Sequence, residues 1–504
     1  MSNSNTNYPN LFLFCIGGTG SRVLKALTFL LSTGVEVKAK KIIPIIIDPD
    51  RANGDVNRTN AIVKKYKDIR KELEFESSKF FQTEIETLSS LDALPDEEKT
   101  STTGQGFKFG IDGTKEGKFR EFIAYDQLDG GNKALLNTLF TEDNLNAELR
   151  VGFKGNPHLG SIVLNRFSVS EDFKFFASRF SDNDRIFIVS SIFGGTGAAG
   201  FPLLVKNIRQ PRVGLKNPER LKNAKLGAIT VTPYFNIKQK DDGSIDSGTF
   251  ISKTKAALEY YAQNITGNNS LNALYYVGDT ETLDYDNNEG EEKQENYAHL
   301  IELIGALSII DFMDIKDEKL VSNEGTALDP IYKEYGLNGD MKEVNFYNLG
   351  RRSKEKIFQN MIQYMYSYLY WEKILSNGSG IPKQPWANKG AIKFDRAFLT
   401  GEFFGEDLRK FNARFLEWLK EMSINERGFR PFRLDVGNNV LHELIVGCEQ
   451  KAKGFLTKRA NWDFGDFDGY LNDAARSIGD IDQINKFMAI FYQATENIFT
   501  DRIQ

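Results

Sequence analysis

The stretch Gly194-Gly195-Thr196-Gly197-Ala198-Ala199-Gly200 follows closely on the apolar run Arg185–Ser190 (RIFIVS) and leads into FPLLVKNIR. A short continuous apolar run that ends at glycines reads as a strand buried on both faces. The segment after it reads as a helix running to about Arg209, with Pro202 in its first turn, where a missing N–H is harmless. The chain carries a second arrangement of this kind. Leu11–Ile16 (LFLFCI) stops at Gly17-Gly18-Thr19-Gly20-Ser21, and Val23, Leu24, Leu27, Leu30 and Leu31 then recur at helical spacing until Gly34. Another buried strand, Ile42–Ile47, runs into Asp48-Pro49-Asp50. Strand, glycine turn, helix and strand predict an α/β fold with a parallel sheet.

Both glycine turns suit an anion for one physical reason. Glycine lets the backbone come close and adopt positive φ, and the first N–H groups of the following helix have no partner inside it. The helix dipole adds about 0.3–1 kcal/mol per charge. Two such ends on one sheet would cradle a polyphosphate; the plainer alternative is a pair of tight strand–helix connections. Gly195-x-Gly197-x-x-Gly200 formally matches a dinucleotide fingerprint, but that pattern needs an acidic residue closing a second strand about 20 residues later. Here Lys206, Arg209 and Arg212 follow instead, and neither turn has the Gly-Lys-Ser/Thr ending of a phosphate-binding P-loop.

Further strands are predicted at Leu226–Thr232 and Leu271–Val277, with a helix near Ser252–Ala262 between them. Residues 55–150 read as a polar elaboration with helical stretches near 60–75, 80–92 and Asn132–Phe140, and a glycine-rich loop over Ser101–Gly117. An acidic loop, Asp284–Glu295, precedes the most continuously apolar helix, Asn296–Phe312 (NYAHLIELIGALSIIDF), which is expected to be central. The organisation expected is a polar tail over 1–10, a nucleotide-binding α/β domain over 11–295, the central helix over 296–313, a linker over 314–341 and a C-terminal domain over 342–504. That last part reads as mainly helical. It has a strand at Val344–Leu349, strand-like patches near Ile392–Phe398 and Phe432–Asp435, and a long helix near Ser353–Leu375. The stripe Met361, Tyr364, Met365, Tyr368 and Trp371 on that helix reads as core, with a partner-binding face as the alternative.

With 504 residues and 40% hydrophobic content the chain can bury a large core. Lys+Arg 64 against Asp+Glu 69 leaves a net charge of −5, which lacks the bulk footprint of a nucleic-acid or anionic-membrane binder. Two cysteines, Cys15 and Cys448, make no disulfide framework and point to a reducing cytoplasm. No basic–apolar leader opens the chain, and no apolar run nears the ~20 residues of a membrane helix. His158, His299 and His442 are too scattered for a zinc site. His299 reads as a core residue, and Cys15 as buried and inert.

Taken in order, these segments resemble the tubulin/FtsZ family. Gly194–Gly200 looks like that family's glycine-rich phosphate signature, with Phe193 where the family has a further glycine. Gly17, Gly18, Thr19, Gly20, Ser21 and Arg22 resemble the first phosphate loop, and Asp48-Pro49-Asp50 the acidic turn near the γ-phosphate and its magnesium. Gly152–Gly160, with Gly155-Asn156-Pro157, is similar to the γ-phosphate loop, and Thr230–Phe235 to the strand end before the ribose loop.

The resemblance implies a Rossmann-type GTPase domain, a long central helix and a divergent helical C-terminal domain, with GTP/GDP and Mg²⁺ as ligands. It places Gly17–Arg22, Gly155, Asn156, Gly194, Gly195, Thr196, Gly197 and Ala198 at the phosphates. Asn296 would read the base, and Asp48 and Asp50 would orient a hydrated magnesium. It further implies head-to-tail self-assembly, in which Asp314 and Asp317 (Phe312-Met313-Asp314-Ile315-Lys316-Asp317) act on the neighbouring subunit's nucleotide. A solvated acidic helix end is the plain alternative for those two acids. Three functions stay open: an assembling GTPase, a nucleotide-gated scaffold that binds another protein through its C-terminal domain, and an NAD(P)-dependent oxidoreductase.

Overall fold

The computed structural model describes residues 8–50, 52–74, 77–91, 104–111, 117–153, 155–237, 247–265, 269–279, 284–285, 296–322, 325–335, 341–376, 383–389, 391–437, 440–451, 461–479 and 481–503. Its centre is an eight-stranded sheet of β1 (Leu11–Ile16), β2 (Lys41–Ile47), β3 (Glu84–Ile85), β4 (Lys108–Phe109), β5 (Arg185–Ser191), β6 (Lys225–Val231), β7 (Ala273–Val277) and β8 (Ile331–Tyr335). The order is β8-β7-β6-β5-β1-β2-β3, with β4 also on β2, and every pairing is parallel. All residues of β1 and β5 are buried, as continuous apolar runs in a doubly covered sheet should be.

Helix α1 (Gly17–Ser32) leads from β1 to β2 on one side, and α4 (Gly195–Arg209) leads from β5 to β6 on the other. The order of strand addition therefore reverses between the adjacent parallel strands β1 and β5, and crevices outside the carboxyl ends of strands at such a point are where open α/β sheets bind ligands. The buried helix α6 (Leu300–Asp314) lies beside α1 and the sheet. A side chain at Gly305 of α6 would put its Cβ 2.9 Å from Val23 Cγ2, so glycine permits the close approach to α1.

Beyond the sheet the chain is mainly helical, with α7 (Arg351–Tyr370), α8 (Arg409–Ile424), α9 (Phe464–Ser477) and α10 (Gln483–Ile498). Met361, Tyr364, Met365, Tyr368 and Trp371 are all buried, so that stripe is core. Phe29 of α1 meets Phe411, Phe415 and Trp418 of α8 at centroid distances of 5.1–5.7 Å, joining the helical part to the sheet. Among the described residues no helix is long and apolar enough to cross a membrane.

Several expectations are corrected. The glycine turns are the first helical turns of α1 and α4, and Pro202 consequently lies inside α4. Residues 80–92 hold β3 and a 3-10 turn, because Thr87, Ser89 and Ser90 bond among themselves locally. The span 314–341 is not only a linker: it contributes β8 to the sheet edge. The central helix begins at Leu300, where His299 and Glu302 form its cap, rather than at Asn296, and it ends at Asp314. The strand expected at 344–349 is Glu343–Val344 alone, and 392–398 holds the short helix Arg396–Thr400, capped by Asp395. Most of the acidic loop 284–295 lies outside the described residues.

Candidate functional site

The two glycine turns stand side by side. A Cβ at Gly17, whose φ is +70°, would lie 3.5 Å from Thr196 Cβ and 3.9 Å from the Gly197 amide nitrogen. Glycine is also required beneath them: a Cβ at Gly20 would fall 2.6 Å from the Cys15 carbonyl carbon, and one at Gly197 2.4 Å from the Ser191 oxygen. A third segment closes on the pair, since a Cβ at Gly195 would meet the amide nitrogens of Gly155 and Asn156 at 3.2 and 3.1 Å. Asn156 precedes α3 (Pro157–Leu164), and His158 in its first turn is exposed. Lys253, on the helix α5 (Ser247–Asn264), donates to the Gly155 carbonyl at 2.6 Å and pins this segment.

Neither α1 nor α4 has a side-chain cap or an acidic residue in its first turn. Some other helices are capped by side chains, with Asn53 on α2 (Gly54–Lys71), Asp463 on α9 and Asp482 on α10, whereas α7 and α8 have no side-chain cap either. The leading amides of α1 and α4 are thus left without intrahelical or capping partners, and each helix start presents roughly half a positive charge. Gly17–Ser21 and Gly194–Ala198 are brought together at one edge, with Gly155 and Asn156 against them.

Arg22 is placed differently from a phosphate ligand. Its guanidinium is buried and donates to Glu302 Oε1 at 2.6 Å, Asp55 Oδ2 at 2.8 Å, the Tyr234 hydroxyl at 2.7 Å and Thr19 Oγ1 at 3.4 Å. The Tyr234, Glu302 and Asp55 charges hold its pKa above the ordinary value against the opposing effect of burial. Asn296 joins this network, its Nδ2 donating to Asp55 Oδ2 at 3.2 Å. His299 Nδ1 accepts from the Ile301 amide, so the proton of the neutral ring sits on Nε2, which has no partner among the described residues. Burial pushes His299 down to about 4, with Asp279 opposing and Arg22 and Arg427 assisting.

Asp48 and Asp50 lie at the carboxyl end of β2, both buried. Asp48 accepts from the Asp50 amide at 2.9 Å and from Asn53 Nδ2 at 3.3 Å, and burial raises its pKa to about 7. Among the described residues no group of three or more His, Cys, Asp or Glu is arranged to hold a metal directly. If the glycine turns held phosphates, Asp48 and Asp50 at the end of the neighbouring strand would suit magnesium kept through water, which this ion retains readily.

Asp314 and Asp317 are at the other edge. Asp317 pairs with Arg185 at 2.6 Å and Lys225 at 2.7 Å, residues that begin β5 and β6, while the glycines follow the ends of these strands. A strand of seven residues separates the two edges by ~20 Å. Partial burial works to raise the Asp317 pKa, but the hydrogen bonds from Lys225 and Arg185 hold it below the ordinary value. Asp314 pairs with Lys38 at 3.2 Å and with Lys356.

Sequence reasoning missed Lys253, Asp55, Tyr234 and Glu302. Of these only Tyr234 stands in a stretch singled out as a motif, Thr230–Phe235, and there it had no role of its own; the fold alone brings these residues to Gly155 and Arg22. The strand β6, next after α4, ends in Val231-Thr232-Pro233 with no carboxylate for a ribose, which removes the support for a dinucleotide enzyme.

No family model and no curated protein sequence matches the chain. Solved structures do. They include CetZ2 from Haloferax volcanii in a GTPgS-bound protofilament, at 12% identity over 61% of this chain and 60% of that one, with TM-score 0.29. CetZ from Methanosaeta thermophila matches at 14% identity over 54% and 46%, TM-score 0.22. The TubZ-Bt two-stranded filament matches at 12% over 65% and 59%, TM-score 0.25. The chain thus spans 46–60% of the length of these structures, and TM-scores of this size reflect partial superposition and assign no function. The chain itself seats its ordered glycine motifs side by side on a parallel α/β sheet, which is the arrangement expected from the resemblance.

Proposed function

We propose that the chain binds GTP with Mg²⁺ across the two glycine turns. The observation that carries this reading is the pair of uncapped helix starts, α1 and α4, set against each other where the strand order of the sheet reverses. Amides of Gly17–Ser21 and Gly194–Ala198 hold the phosphates, Gly155 and Asn156 close over the terminal one, and Asp48 and Asp50 orient the hydrated ion. Asn296 is the base reader in this reading. Arg22 acts as a positioning residue that ties the phosphate helix to α2 and α6.

Head-to-tail assembly agrees with the placement of Asp314 and Asp317 at the edge opposite the cradle, from which they reach only a neighbour's nucleotide. The second reading, a nucleotide-gated scaffold without turnover, is favoured by one fact: both acids already have cationic partners within the chain.

The test is calorimetry with GTP and tripolyphosphate, with and without Mg²⁺, on the wild type and Thr196→Glu. The substitution puts a negative charge at the half-buried start of α4. Binding of both ligands to the wild type and at least tenfold weaker binding to the variant are expected. Equal binding by both proteins, or NAD(P) found in the purified protein, would overturn the reading.

A further inference from the structure

Lys253 stands in none of the glycine motifs, yet its ammonium reaches the cradle, donating to the Gly155 carbonyl oxygen at 2.6 Å from a partly buried position. Gly155 has φ +72°, in the left-handed region that glycine adopts without strain. Its amide has no hydrogen-bond partner among the described residues, and the nitrogen stands 3.2 Å from where a Cβ on Gly195 would lie. The next amide, that of Asn156, is taken up by the Phe153 carbonyl at 2.7 Å. Gly155 thus offers the cradle a free N–H while Lys253 grips the same residue by its carbonyl.

The helix that carries the lysine is a firm base for that grip. Tyr261 of α5, two turns further on and 1% exposed, sets its ring edge-on against Phe201 of α4 at 5.1 Å, and its hydroxyl lies 3.5 Å from the Ala198 carbonyl oxygen. Helix α3 is seated on α4 as well, since a Cβ at Gly160 would come 2.8 Å from Ala199 Cβ. Lys253 therefore ties two elements that both rest on α4, and its bond fixes the Gly155 peptide rather than the packing of α4. It also puts a full positive charge beside the free amide. Coulomb attraction falls with distance, so the phosphate nearest Gly155 feels that charge most.

We infer that Lys253 is a positioning residue by which the cradle selects a triphosphate over a diphosphate, aiming the Gly155 amide at the terminal phosphate and adding its charge there. This role rests on the GTP reading.

Calorimetry with GTP, GDP and tripolyphosphate on the wild type, Lys253→Met and Lys253→Arg decides. The wild type should bind GTP more tightly than GDP. Lys253→Met should bind GTP and tripolyphosphate about tenfold more weakly, as loss of a hydrogen bond from a charged group implies, with GDP within about twofold of wild type. Lys253→Arg keeps charge and donor and should restore most of the preference, whereas a brace that served folding alone would weaken both nucleotides alike. Should Lys253→Met not fold, Lys253→Gln keeps a donor without the charge and should show the same selective loss. No preference in the wild type, or GTP and GDP weakened equally or not at all in a folded variant, would overturn the inference and leave the cradle standing. A wild type that binds neither GTP nor tripolyphosphate overturns the cradle reading, and this role with it.

Discussion

Asp48 shows what the acidic turn costs the apo protein. Its carboxyl is held at about 7 chiefly by burial, with the charges of Asp50 and Asp55 adding and the hydrogen bond from the Asp50 amide opposing. An unfolded aspartate titrates near 3.9. Between those values the folded chain keeps a proton that the unfolded chain has released. Stability from this group therefore falls as pH rises from about 4 to about 7 and stays reduced above that. Asp48→Asn keeps an acceptor for the Asp50 amide and has no charge to bury. The variant's urea stability relative to wild type, without nucleotide, should rise between pH 4 and pH 8; a difference constant across that range would show that Asp48 ionises freely in the fold.

At the scale of elements, Arg22 is the joint between α1, α2 and α6. Glu302 caps α6 and receives Arg22, and Asp55 in the first turn of α2 receives it too. Removing one member of a buried ion pair costs about 3–5 kcal/mol, because the other charge is left without compensation. Arg22→Met should lower the urea-unfolding free energy by about that amount, and adding Glu302→Gln should restore part of it. A loss below about 1 kcal/mol in the single variant would mean that the carboxylates relax into protonated or solvated states. None of this was legible in the sequence. Continuous apolar runs located β1, β2, β5 and β6, because strands buried on both faces admit little else; glycines follow β1 and β5, and Asp48-Pro49 and Thr232-Pro233 follow β2 and β6. The edge strand β8 (IYKEY) escaped because its side chains are half exposed and mix charge with tyrosine. The start of α6 was misplaced because the cap uses a histidine, and Arg22 read as a phosphate ligand because its acidic partners lie 33 and 280 positions away.

For the molecule as a whole, polarity is the decisive property. The cradle opens at the carboxyl edge of the sheet, and Asp314 and Asp317 sit at the amino edge, ~20 Å away along β5. On the proposed reading, a monomer has no means of bringing these acids to a nucleotide at its own glycine turns, so turnover that used them would require two chains in head-to-tail contact. Thr196→Glu disables the cradle and keeps the acids; the double variant Asp314→Ala/Asp317→Ala keeps the cradle and removes the acids. Each alone should fail to release phosphate from GTP. An equimolar mixture should recover a measurable fraction, since some interfaces then combine an intact cradle with intact acids, and activity per chain should rise with total concentration. The ion pairs of Asp314 and Asp317 set the opposing expectation, because an acid held by Arg185 and Lys225 has to exchange partners before it can orient water. If the double variant turns over GTP like the wild type, the acids are braces for the amino edge; if the mixture stays inactive while both variants fold and the wild type is active, the contact does not run head to tail.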